Sequence, residues 1–268
     1  MLRTRIILVL VSAAVVFLIF LLPKSVVENE SSVTPADSAQ ITVNTPHQPA
    51  SVSLAGDIAG MRRKWAREGR NEKSSIFADS LRGLYTQAGK FDSAAWFADF
   101  AASFFKNTDS YLKAGNSYYE AFTYAVQPEK QKEMAGKTRE YLGKVVEANP
   151  GDLESKTRIA MTYVSSDSPM QGIRMLREVL EADPKNEFAL FNMGMLSIQS
   201  GQYGRAIERL KELIAVNPDH IQGQLLLGVA YANEGMKEEA RAQFEKVKTM
   251  DKDPSVQATA DSYLKDLK

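Results

Sequence analysis

Prolines 150, 184 and 218 stand 34 residues apart, each behind an acidic or amide residue, in VEANPGD (146–152), LEADPKN (180–186) and IAVNPDH (214–220). Proline lacks an N–H and biases the residue before it away from helix, so each marks a helix end. Between these points apolar residues recur at three and four, as in Leu190, Met193 and Ile198, and again in Ile207, Leu210, Leu213 and Ile214. That is the period of one helix face, and the alternation and Asn-Gly turns of strands are missing. A breaker every 34 residues therefore punctuates a repeated pair of helices. One such pair cannot bury its apolar face alone, so the fold class expected is all-α, with pairs stacked into a solenoid.

At this spacing the sequence falls into columns. Leu142, Leu176, Leu210 and Phe244 form one, and Val145, Val179, Leu213 and Val247 another. Small residues align at Gly172, Ala206 and Ala240, and at Ala160, Gly194 and Gly228. Two helices approach closely only where one presents Gly or Ala, and large apolar residues fill the space around the crossing. Leu190, Met193, Leu210 and Leu213 are assigned to the core. Asn186 and Asp219 are suitable N-caps, with Asp219 and Gln222 spaced as a capping box, and Ser168–Gln171 offers a second box with Pro169 at the first helical position.

The segment 153–254 resembles the tetratricopeptide repeat (TPR) family, a 34-residue helix–turn–helix. GQYGRA (201–206) and GMKEEA (235–240) look like the family's inter-helix turn, while Lys156, Leu190 and Gln224 replace its tryptophan. The resemblance implies a right-handed solenoid whose first helices line a concave groove. Carried over, the groove positions are Thr157, Arg158 and Met161, then Phe188, Phe191, Asn192, Met195 and Ile198, then Gln222, Leu225, Leu226 and Val229. This set is largely apolar and implies a protein or peptide partner. Family members that grip a chaperone's C-terminal carboxylate need Lys, Asn and Arg at five of these positions, and only Asn192 fits.

Upstream the repeat loosens. GKFDSAA (89–95) keeps the Gly-to-Ala spacing of the turn, preceded by Leu81 and Tyr85. The distance from Gly89 to Gly201 exceeds three repeats by ten residues, which places an insertion around Ala125–Glu133. Five repeats follow: 75–108, an enlarged 109–152, 153–186, 187–220 and 221–254. Residues 54–72 and 255–267 cap the two ends, and 54–268 form the helical domain.

Residues 1–23 carry Arg3 and Arg5 ahead of an apolar run, Ile6–Leu22, interrupted only by Ser12. About 25 Å of helix is near the short end of a membrane span. A cleaved secretory signal competes with an uncleaved transmembrane anchor, but the run is long and no small-x-small site follows. The arginines put the N-terminus in the cytoplasm and the rest outside, periplasmic in a bacterium. Residues 24–53, rich in Ser, Thr, Pro and Asn, are read as a linker.

Chemistry is sparsely provided. The chain has no cysteine and two histidines, His47 and His220, too far apart in sequence for a metal cluster. No nucleophile–base pair, metal set or phosphate loop is present, so no enzyme, metal or cofactor is expected. Lysine plus arginine equals aspartate plus glutamate at 33 each, which gives no basic excess for a nucleic-acid partner. The run Met61–Arg67 pairs basic residues with Trp65, yet Ile58, Met61 and Trp65 make an ordinary packing stripe. The function expected is a membrane-tethered scaffold that binds a partner through its groove. Self-association into an envelope complex is the alternative.

Overall fold

A computed structural model describes residues 51–267. The expected anchor at 1–23 and all but the last three residues of the linker lie outside them. Among the described residues no helix is long and apolar enough to cross a membrane, and every regular element is helical. Twelve helices follow in order: α1 Val52–Arg67, α2 Glu72–Gln87, α3 Phe91–Phe105, α4 Thr108–Tyr124, α5 Pro128–Ala148, α6 Leu153–Val164, α7 Pro169–Ala182, α8 Glu187–Gln199, α9 Tyr203–Val216, α10 Ile221–Asn233, α11 Lys237–Met250 and α12 Pro254–Asp266. α1 begins inside the expected linker, with Ser51 as N-cap accepting from the Leu54 N–H.

The recurring proline sits in a recurring turn. Asn149, Asp183 and Asn217 each close a helix, their N–H donating to Val145, Val179 and Leu213. Their side-chain oxygens then accept from Gly151, Lys185 and Asp219, just past the proline. This is why an acidic or amide residue precedes each proline: its short side chain holds the turn that proline starts. Three of the five turns within pairs use glycine instead. Gly89, Gly201 and Gly235 have φ of +64°, +70° and +84°, and the residue after each bonds back to Tyr85, Ser197 and Tyr231. A left-handed residue at this position satisfies carbonyls that the helix end leaves open.

First helices are capped by short polar side chains. Asn71 and Asn107 form reciprocal capping boxes with Ser74 and Ser110, and Asn186 accepts from Ala189 as expected. Two expected caps differ. His220, not Asp219, is the cap of α10, its Nδ1 accepting from Gly223 at 3.0 Å. Ser168 makes no cap bond; Pro169 removes one N–H that would need it.

Each helix packs on the next in sequence, so α2–α3, α4–α5, α6–α7, α8–α9 and α10–α11 stack as five pairs between α1 and α12. The small and large columns meet as expected: Leu142, Leu176, Leu210 and Phe244 are fully buried. The enlarged repeat differs in kind from an inserted loop. α4 and α5 run 17 and 21 residues, where α8 and α9 run 13 and 14. Only Ala125–Gln127 separate α4 from α5, so the extra residues lengthen both helices.

Candidate functional site

The first helices of successive pairs touch one another, α4 with α6, α6 with α8 and α8 with α10, whereas second helices show no comparable contact. The row of first helices is therefore the tighter side of the stack, and the groove positions lie along it.

Their fates diverge. Phe188, Phe191, Met195 and Ile198 on α8, with Leu225, Leu226 and Val229 on α10, are half-buried. Each of these except Phe188 packs its inner side on a core cluster, and Phe188 carries the Arg158 guanidinium. Phe191 also stacks on His220, centroids 5.2 Å apart, which joins α8 to the cap of α10.

Three positions turn inward and are corrected. Met161 is 8% exposed and belongs to the core with Ala160, Leu176 and Ala189, because α8 closes over that face of α6. Asn192 is 4% exposed, and its Nδ2 donates to the Phe188 carbonyl at 2.7 Å, so its amide is used within its own helix. Thr157 is fully buried and donates to the Leu153 carbonyl. Gln222 is exposed.

Arg158 is held rather than free. Its guanidinium pairs with Glu154 at 2.7 Å and lies 5.8 Å from the Tyr119 ring centroid and 5.6 Å from that of Phe188. It thus joins α4, α6 and α8, three successive first helices. Arginine suits this position because a flat, weakly hydrated cation can face an aromatic ring on either side.

Beyond Arg158 toward the N-terminus the row becomes charged, which the looser upstream pattern concealed. Lys113 on α4 reaches Asp79 on α2 at 3.1 Å and Asp109 at 3.0 Å, and Arg82 bonds Asp79 at 2.8 Å. Burial alone would raise the Asp79 carboxyl, but hydrogen bonds from Arg82 and Lys113 outweigh it and hold it below its ordinary value. Glu120 on α4 goes the other way: burial pushes it up, and the charges of Arg82 and Arg158 only partly offset this. Asn116, one turn earlier, buries its side-chain oxygen without a hydrogen-bond partner among the described residues. The signal that could have found this half is the 34-residue spacing of Asp79 and Lys113.

The row is thus apolar over α8 and α10 and charged over α2, α4 and α6. It can seat a chain segment with apolar side chains toward one end and polar ones toward the other. Among the described residues no group of three or more His, Asp or Glu could hold a metal. A cavity of about 800 Å³ lies at the edge formed by the α2–α3 and α4–α5 turns, where Ala121 and Tyr124 end α4.

Residues 197–260 match the family model described as tetratricopeptide repeat. Among solved structures, a tetratricopeptide repeat protein from Parabacteroides merdae aligns with a TM-score of 0.58 at 17% identity, covering 80% of this chain and 82% of that one. TTC0263, a thermophilic TPR protein of Thermus thermophilus, aligns with a TM-score of 0.55 at 16% identity, covering 71% and 98%. The MamA protein gives 0.48 at 19%, covering 66% and 91%. A search of curated proteins by sequence finds no match. At these identities the likeness is one of fold. The match at residues 197–260 and the two alignments above a TM-score of 0.5 agree on one fold, that of a TPR solenoid.

Proposed function

We propose that the chain is a non-enzymatic scaffold whose row of first helices binds a segment of a partner protein, and that residues 1–23 hold it at the outer face of the cytoplasmic membrane. The observation that carries the binding surface is the half-buried apolar stripe of Phe188, Phe191, Met195, Leu225, Leu226 and Val229 across two successive first helices. Solvated helix faces seldom keep such a stripe; an amphipathic helix or an extended segment would cover it. Met195 adds an adaptable contact. Membrane tethering is supported by the sequence of the N-terminal run and the arginines before it.

A photo-reactive residue at Val229, compared in intact cells with one at the exposed Glu208 of α9, tests the surface. Crosslinks from Val229 alone to one other protein would support it. Equal labelling from both positions would overturn it, and crosslinks from Val229 to the chain itself would replace a partner by self-assembly.

A further inference from the structure

The stripe of Ile58, Met61 and Trp65 packs α1 onto α2 and α3 as its spacing predicts. What remains is the rest of α1. Arg62, Arg63, Lys64 and Arg67 are all exposed, and among the described residues no carboxylate pairs with any of them. Asp57 is the only acidic residue in the helix. Small residues accompany the cations in this helix, with Gly56, Ala59 and Gly60 before them and Ala66 between Lys64 and Arg67. In a chain whose charges balance at 33 each, this is a local excess rather than a reflection of composition.

An aromatic surface adjoins it. Trp96 on α3 is 52% exposed, although it lies edge-on to Trp65 at 5.7 Å and to Phe97 at 4.8 Å. Arg62, Trp65 and Trp96 line the same shallow recess together with Asp92, a carboxylate paired with Lys130 at 3.7 Å. At the next turn, the Arg70 guanidinium is fixed by Ser103 at 2.6 Å and by the Phe100 ring at 5.6 Å. Packing on Trp65 and Phe97 uses only part of the Trp96 indole, and the rest meets solvent beside unpaired cations. It is the combination found at a bilayer surface, where indole rings sit at headgroup depth and basic side chains meet anionic lipid.

We infer that the outer side of α1 together with Trp96 is a docking face for an anionic membrane surface, which fixes the orientation of the solenoid on the bilayer. The orientation rests on the reading of residues 1–23 as an anchor. Two observations favour lipid over a polynucleotide. The basic cluster is confined to one helix and its adjoining turn rather than spread along a tract that could follow a phosphate backbone. Moreover, α1 is the first of the described helices and starts only 30 residues past Leu22. Even fully extended, that length reaches about 100 Å, so an anchored chain keeps α1 at high local concentration beside the bilayer.

Trp65 and Trp96 are the only tryptophans in the chain, so selectively excited tryptophan fluorescence reports on this face alone. The full chain is reconstituted into phosphatidylcholine vesicles, with or without about a third phosphatidylglycerol, each containing brominated lipid as a shallow quencher. Flotation with the zwitterionic vesicles reports the anchor; the difference in quenching between the two compositions reports docking. Docking requires strong quenching and a blue shift in the anionic vesicles only, reversed at about 0.5 M salt where charges are screened within a few ångströms. The variant R62Q/R63Q/K64Q/R67Q should lose the extra quenching seen in the anionic vesicles while still floating with both compositions, and Trp96→Phe should remove most of the quenching. The salt titration uses the unmodified chain, so it decides even if a variant misfolds. Equal quenching in both vesicles, none in either, or a response to an added oligonucleotide but not to lipid would overturn the assignment.

Discussion

Gly228 of α10 leaves no room for a methyl group: a Cβ there would stand 2.6 Å from Cε1 of Phe244 on α11, a side chain that is itself fully buried. The same relation joins Gly194 to Leu210 at 2.8 Å and Gly115 to Leu142 at 2.3 Å. In each pair the small residue is on the first helix and the large one on the second, which sets how closely the helices cross.

Gly228→Ala should therefore destabilise the fold although alanine is the better helix former. Overpacking costs about 1–3 kcal/mol, against about 1 kcal/mol gained in helix propensity. Gly136, inside α5, has nothing within 4 Å of a built Cβ, so Gly136→Ala should stabilise by up to about 1 kcal/mol. Urea denaturation midpoints of the two variants should move in opposite directions; a shared direction would refute the crossing argument.

Asp79 and Glu120 should give opposite pH effects. Asp79 is held below its ordinary value, so its contribution is present above the unfolded pKa and lost as pH falls through the folded one. Asp79→Asn should flatten the acid limb of stability below about pH 4, by at most ~1 kcal/mol because the group is partly solvated. Glu120 is raised, so its contribution is present in acid and lost as pH climbs past the unfolded value. Glu120→Gln should raise the denaturation midpoint at neutral pH relative to the parent. A neutral-pH decrease would show that the charges of Arg82 and Arg158 outweigh burial.

Arg158 links three first helices through two rings and one carboxylate. Arg158→Ala should cost about 0.5–1 kcal/mol for each of the two rings that the guanidinium faces. Arg158→Lys should restore little, since an ammonium cannot lie flat between two rings. Full rescue by lysine in the same unfolding assay would reduce the site to charge alone.

The C-terminal end depends on α12. Phe244 stacks on Tyr263 at 4.9 Å, and Ala260, Leu264 and Leu267 close the last cluster. Leu264→Ala should cost about 2–3 kcal/mol. Removing residues 251–268 should expose the face of α11 and cause concentration-dependent association in sedimentation. A monodisperse, equally stable truncation would mean that α11 can end the stack unaided.

Local chemistry written in the sequence determined the repeat itself. Asx–Pro turns at 149–150, 183–184 and 217–218, left-handed glycines at 89, 201 and 235, and the small and large columns are all short-range requirements of backbone and side-chain volume. Tertiary structure decided which side of each column faces out. Met161 and Met195 share a column, yet Met161 is core and Met195 half-buried, because how far each pair slides over its neighbour is set by packing between pairs. The ten extra residues likewise lengthened α4 and α5 rather than their turn, since continued helix buries Ala121, Phe122 and Met134 in one core cluster. The Tyr119–Arg158–Phe188 contact runs diagonally across three helices. No single column holds it, and only stacking brings the three together.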